Sequence, residues 1–373
     1  MKRTPEDEKL FPVVHEVGAS IWEKRGISRR DFMKFCTAMT AALSLPATMI
    51  PRVAAALESD TRPSVIWVEF QSCTADTEAL LRASSPTVAE IVLDVLSVDY
   101  SETIMAAAGH LAEEAKAKTI KERAGKYIAV VEGSIPTKDN GAYCCIGGRS
   151  ALEIAREVCN NALATIAVGT CASYGGLPAA APNPSGAVGV GEAVPGITLV
   201  NLPGCPLNTD NLVATIVHFI TFGRLPAVDG KGRPLFAYGK KIHDNCERRA
   251  HFDAGQYVEA WGDQAHRLGH CLYKMGCKGP ATFHNCPTQK YNEKTAWPVG
   301  SGHGCVGCSE PAFWDSMSPF YRRLPNVPGF GIEATADKIG LGLVAAAAAG
   351  FGIHGALNAL RKDKEPDART EEE

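Results

Sequence analysis

Positive charge is not in excess in this chain. Its 38 Lys and Arg stand against 41 Asp and Glu, a formal net charge of −3 over 373 residues. No basic field therefore argues for a nucleic-acid partner. No internal repeat or low-complexity tract stands out, so nothing suggests a solenoid or a tandem array. Cysteine is plentiful, at 13 residues, yet below the density of a small disulfide scaffold. Regular periodicity is missing from about Pro234 to Cys308, where Gly, Pro, His and Cys crowd together. A stretch that long without secondary structure needs another ordering agent. Metal ligation is one, because it supplies folding free energy directly.

The cysteines are spaced for metal. A late series reads His243-x2-Cys246, Cys271-x5-Cys277, Cys286 and Cys305-x2-Cys308. Earlier stand Cys73, Gly169-Thr170-Cys171 and Pro203-Gly204-Cys205-Pro206. Thiolates on glycine-rich loops suit iron–sulfur clusters. At Cys73 the expected CxxC reads Cys73-Thr74-Ala75-Asp76 instead, with a carboxylate in place of the second thiolate. Cys144, Cys145 and Cys159 remain unassigned; adjacent cysteines can form a disulfide or a ligand pair, and a role as small buried hydrophobes is the reading expected here.

The chain ends are equally informative. Arg29-Arg30 precede the apolar stretch Phe35 to Leu45 and the small run Ala54-Ala55-Ala56. That order reads as a twin-arginine export signal over residues 1–56, cut after Ala56. Such export carries folded, cofactor-loaded proteins, so the cysteines favour metal over disulfides. Residues 339–360 carry no formal charge and would rise roughly 33 Å as a helix, enough to cross a membrane. Arg361, Lys362 and Lys364 follow, which places the tail 361–373 on the cytoplasmic side.

Between the ends, residues 57–235 alternate strand and helix signals. Strands are expected at 65–70, 91–96, 127–131, 164–168 and 197–202, with helices at 150–162 and 210–219. This pattern argues an α/β, flavodoxin-like, doubly wound parallel sheet. Ligands then bind beyond the strands' carboxyl ends, where Cys73, Cys171 and Cys205 all fall. An irregular cluster domain is expected at 236–330 and a linker at 331–338.

The cysteine set, with Arg248 to Asp253 and Cys271 to Pro280, resembles the small subunit of membrane-bound nickel–iron uptake hydrogenases. The resemblance covers essentially the whole chain. It implies three iron–sulfur clusters. The proximal one would use Cys73, Cys171 and Cys205. A medial 3Fe–4S cluster would use Cys286, Cys305 and Cys308. A distal 4Fe–4S cluster would use His243, Cys246, Cys271 and Cys277. Pro298 lies in the medial segment without an assigned role.

Asp76 departs from the family's usual cysteine. Oxygen-tolerant relatives carry two further cysteines, whose places here are Ala75 and Gly176. Actinobacterial-type members have an aspartate ligand at this point. A proximal 4Fe–4S cluster with three cysteines and Asp76 is therefore expected. The competing reading makes Asp76 a bystander to a cluster that has lost an iron. Glu78 fits proton handling, partner contact or a solvated helix start.

The resemblance further implies a separate nickel–iron large subunit that splits hydrogen, a dimer of such heterodimers, and transport by the twin-arginine translocase. It places the complex on the periplasmic face of the inner membrane. His354, ionisable inside the anchor, is the implied ligand of a haem b shared with a membrane cytochrome b that passes electrons to quinone. Two other classes stay open: a cluster-binding subunit of another respiratory complex, and an exported disulfide-bonded binding protein.

Overall fold

A computed structural model describes residues 28–58, 62–84, 87–88, 91, 96–292, 294–323 and 336–362. The chain opens with α1 (Arg29–Ala42) and α2 (Ile50–Leu57), then β1 (Ser64–Glu69), α3 (Ala75–Leu81) and β2 (Ser97–Ser101). It continues through α4 (His110–Glu122), β3 (Tyr127–Glu132), α5 (Ala151–Asn160), β4 (Ala164–Val168) and α6 (Gly169–Tyr174) to β5 (Leu199–Leu202) and α7 (Thr209–Phe222).

The five strands form one parallel sheet in the order β2-β1-β3-β4-β5, the order of doubly wound flavodoxin-type sheets. Near-continuous apolar runs make such strands, because both faces are covered. Val65, Trp67, Ile128 and Val130 enter one core with α1, α2 and α7. Ile66, Val68, Ala129 and Val131 enter the other with α4 and α5. The helices begin where short polar side chains cap them: Ser28 accepts from Asp31 N–H, Ser150 from Glu153 N–H and Asn208 from Asp210 N–H.

One expected strand is misplaced. The strand beside β1 is Ser97–Ser101, not 91–96. Ile91 and Leu96 are both buried, whereas residues 92–95 lie outside the described set. An apolar run this short fits a buried helical turn as well as a strand, and here the more polar Ser97-Val98-Asp99 takes the sheet edge.

The expected leader falls partly outside the described residues, at 1–27. The remainder packs on α7 through Phe32, Phe35, Met39, Val53 and Leu57, and Cys36 is fully buried with them. Arg29 and Arg30 are exposed. The expected cut after Ala56 lies inside α2.

From Leu235 to Ser316, no helix among the described residues exceeds five residues. The apolar core there is small: Ile242, Val258, Leu272, Trp297 and Val299, completed by Cys286 and Cys305. Residues 324–335, the greater part of the expected linker, lie outside the described set, as does the tail from 363. The C-terminal helix α8 (Ala336–Lys362) starts earlier and ends later than the expected 339–360. The uncharged stretch marks the membrane-length part, and the helix continues into its charged flanks. Within α8, Leu341–Ala359 is long and apolar enough to cross a membrane, with no side chain buried.

Candidate metal centres

The first donor group sits at the carboxyl edge of the sheet. β1 runs into the Cys73 loop, and Thr74, at φ 62, turns the chain into α3. Asp76 in that helix is only 7% exposed. Its Oδ1 accepts from the Leu207 N–H at 2.7 Å, two residues after Cys205. Burial, reinforced by the Glu132 charge, pushes the Asp76 carboxyl up to about 7. Glu132, at the end of β3 and fully buried, holds the start of α3. It accepts from Asp76 N–H at 3.2 Å, Thr77 N–H at 3.0 Å, Thr77 Oγ1 at 2.6 Å and Ser72 Oγ at 2.8 Å.

Cys171 lies in α6, directly after β4, and Cys205 follows β5. Burial pushes the Cys171 thiol up to about 11, with Asp76 and Cys73 adding to it. It pushes Cys205 to about 12, with Cys308, Cys171, Asp76 and Cys73 contributing. The four donors therefore share one electrostatic neighbourhood. Two glycines make room there. A Cβ on Gly169, at φ +78, would stand 2.7 Å from Cγ of Asp76, and one on Gly176, at φ +55, would stand 2.5 Å from Sγ of Cys171.

Cys286, Cys305 and Cys308 line a cavity of about 990 Å³, with Cys205 also on its wall. Pro298, which has no donor atom, lines the same space. Gly307 N–H donates to Sγ of Cys305 at 3.4 Å, and burial raises all three thiols. Next to Cys308, the buried Glu310 accepts from Arg233 Nη1 at 2.9 Å, Lys231 Nζ at 2.8 Å and Phe283 N–H at 2.8 Å.

His243, Cys246, Cys271 and Cys277 line a second, small pocket. Arg248 N–H donates to Sγ of Cys246 at 3.4 Å. Burial pushes Cys271 up to about 12. It pushes His243 down to about 4, helped by Arg249. A neutral imidazole is the form that ligates metal. Phe252 holds that ring edge-on at 4.6 Å.

The three groups join end to end. The Cys205 backbone lies close enough to the Cys308 sulfur to offset part of the rise in its pKa, and the Thr170 hydroxyl donates to the Cys308 carbonyl while accepting from Gly204 N–H at 2.9 Å. Cys305 N–H donates to Sγ of Cys277 at 3.2 Å. Among the described residues no three His, Cys, Asp or Glu donors converge on a single-ion site. Thiolate-rich donor groups of this kind suit iron–sulfur clusters. Desolvation raises the thiols of Cys171, Cys205, Cys246, Cys271, Cys277, Cys286, Cys305 and Cys308, so metal binding there releases protons, and all thirteen cysteines are free. The donor chemistry thus fits iron–sulfur clusters.

His354 stands apart, exposed on α8, with Asn358 Nδ2 at 3.1 Å from its Nε2. Cys159 is buried as expected, Cys144 is partly so, and Cys145 is exposed, which corrects its reading as a buried hydrophobe. Cys145 lies in a two-residue ribbon with Arg149-Ser150 at the surface. Sequence reasoning missed Glu132, Thr170, His284 and the Arg233–Glu310 pair. Glu132 had a signal, a carboxylate at a strand's carboxyl end; the others had none.

Two family models match the chain. Residues 238–321 match the C-terminal family of NiFe/NiFeSe hydrogenase small subunits. Residues 73–219 match the family of the 20 Kd subunit of NADH ubiquinone oxidoreductase. The quinone-reactive Ni/Fe-hydrogenase small chain of Wolinella succinogenes is 47% identical, covering 92% of this chain and 99% of that one. The uptake hydrogenase small subunit of Azotobacter vinelandii is 44% identical, covering 92% and 95%. Among solved structures, the reduced, active Ni-Fe-Se hydrogenase from Desulfomicrobium baculatum aligns at TM-score 0.67 and 35% identity, over 70% of this chain and 100% of that one.

Proposed function

The chain belongs to the small-subunit family of nickel–iron hydrogenases, and from that premise we propose how its donors divide and where its electrons go. As a hydrogenase small subunit it is part of an oxidoreductase, carries iron–sulfur clusters and pairs with a large subunit.

The proximal 4Fe–4S cluster is held by Cys73, Asp76, Cys171 and Cys205. Cys286, Cys305 and Cys308 hold a medial 3Fe–4S cluster. His243, Cys246, Cys271 and Cys277 hold a distal 4Fe–4S cluster. The observation that supports this division is the grouping: His243, Cys246, Cys271 and Cys277 line one pocket, Cys286, Cys305 and Cys308 line a neighbouring cavity that Cys205 and the donor-free Pro298 also reach, and Asp76, Cys73, Cys171 and Cys205 share one electrostatic neighbourhood. Asp76 is favoured over a bystander role because it is buried and lies near enough to Cys171 and Cys205 for its charge to raise both thiols. A harder oxygen ligand there alters the potential of that site.

Bound clusters supply one-electron carriers, in the order proximal, medial, distal. The chain's own residues space the sites and insulate them. Thr170, bonded to the Cys308 carbonyl and to Gly204 N–H, and Cys305 N–H, bonded to Cys277, tie each site to the next. Hydrogen splitting is assigned to the large subunit, because the paired cysteine motifs of this chain are taken up by the three iron–sulfur sites.

The exposed Arg29-Arg30 pair supports export by the twin-arginine translocase, with the leader cut after Ala56. The apolar span Leu341–Ala359, followed by Arg361 and Lys362, supports an anchor with a cytoplasmic C-terminus and a periplasmic body. His354 in that span is read as ligand to a haem b shared with a membrane cytochrome b, which delivers electrons to quinone. The complex is read as a dimer of heterodimers.

Iron and acid-labile sulfide analysis of the purified small subunit tests the division. The expected content is about eleven irons per chain. A content of about eight or fewer in small subunit taken from fully active complex contradicts it.

A further inference from the structure

One buried side chain beside the medial donors is left unused by the reading above. His284 is 2% exposed, and its Nδ1 lies 2.9 Å from Sγ of Cys286. Its backbone N–H donates to the Lys240 carbonyl at 3.2 Å. Tyr238 meets the ring edge-on at 4.8 Å and 87°. Two ring contacts, on a backbone held by the Lys240 bond, thus fix the ring's direction. Its other nitrogen, Nε2, is buried without a hydrogen-bond partner.

A ring this deep carries one proton, because a buried second charge is costly. Where that proton sits follows from its partners. Iron-bound Cys286 is a thiolate, which only accepts. A proton on Nε2 would leave a buried donor unpaired and turn the Nδ1 lone pair toward a sulfur anion. A proton on Nδ1 gives the sulfur a donor instead.

We propose that His284 sets the potential of the medial site by donating its Nδ1–H to the Cys286 sulfur. The inference rests on the reading of Cys286 as a medial ligand. Hydrogen bonds to ligand sulfurs tune cluster potentials. A donor stabilises the more negative, reduced state and so raises the potential. Tyr291 Oη, which also faces this sulfur, stands 4.0 Å away, too far to replace the imidazole.

The test is a redox titration of the oxidised 3Fe–4S paramagnetic signal in the complex with its large subunit. His284→Phe should lower the medial midpoint by about tenfold in the oxidised-to-reduced ratio, ~59 mV for one electron. Iron content and the other two midpoints should stay at wild-type values. His284→Gln, which keeps a donor, should recover part of the shift. A fully loaded His284→Phe complex with an unchanged medial midpoint overturns the proposal.

A second measurement needs no variant. Wild-type complex with nitrogen-15 histidine should show a histidine-nitrogen hyperfine coupling on the medial signal, and its absence overturns the proposal even if the Phe variant loads no iron. A wild-type complex with no medial 3Fe–4S signal overturns the ligand reading itself, and this inference with it.

Discussion

Gly169→Ala is the perturbation whose cost can be worked through most fully. Gly169 stands at φ +78, where a side chain costs roughly 1–2 kcal/mol. The new Cβ would also stand 2.7 Å from Cγ of Asp76. Asp76 cannot swing away freely. Its Oδ1 is bonded to Leu207 N–H at 2.7 Å, and its own N–H is held by Glu132. Giving up the charge-assisted Leu207 bond costs about 1.5–3 kcal/mol. The total of roughly 3–5 kcal/mol is a large part of a domain's 5–15. The variant should lose proximal-site iron first and unfold at a lower temperature, read by iron analysis and calorimetry of the purified complex. Asp76→Ala removes the clashing group, so the double variant should cost less than the two single costs together. Wild-type iron and thermal stability in Gly169→Ala, or strict additivity in the double variant, would refute the reasoning.

Three further outcomes follow from other parts of the molecule. Arg233 and Glu310 form a pair at 2.9 Å with side chains 3% and 5% exposed, so Arg233→Ala should destabilise by about 3 kcal/mol, measured as a fall in unfolding temperature. The complex co-purified from a His354→Ala strain should lack one low-spin haem signal; full haem content refutes that ligand. Burial lowers the His218 pKa from its ordinary 6.5, so the neutral ring is the folded form. Its contribution is complete above about 6.5 and fades as the pH falls below that. His218→Phe should flatten this acid-side slope in pH-dependent thermal melts.

Legibility differed by region for physical reasons. The sheet was readable because buried parallel strands are continuous apolar runs, and Tyr127, Ala164 and Leu202 mark true strand ends. The edge strand was not, because Ser97-Val98-Asp99 carries little apolar signal. The donor spacing was readable because the ligands come in short local groups. Their supports come from far away in sequence. Thr170 reaches Cys308 across 138 positions, and Glu132 reaches Asp76 across 56. His284, two residues from a cysteine, looked like any loop histidine until its Nδ1 was placed on the sulfur. The apolar C-terminal span was legible in composition, and the packing of α1 and α2 on α7 was not, since an amphipathic helix does not announce its partner.

The account turns on Asp76 as a ligand to the proximal site. Asp76→Cys in the intact complex, followed by electron paramagnetic resonance during redox titration, tests it most directly. A changed proximal spectrum and a shifted proximal midpoint, with medial and distal signals and total iron retained, are the predicted result. A proximal spectrum and midpoint identical to wild type would contradict it.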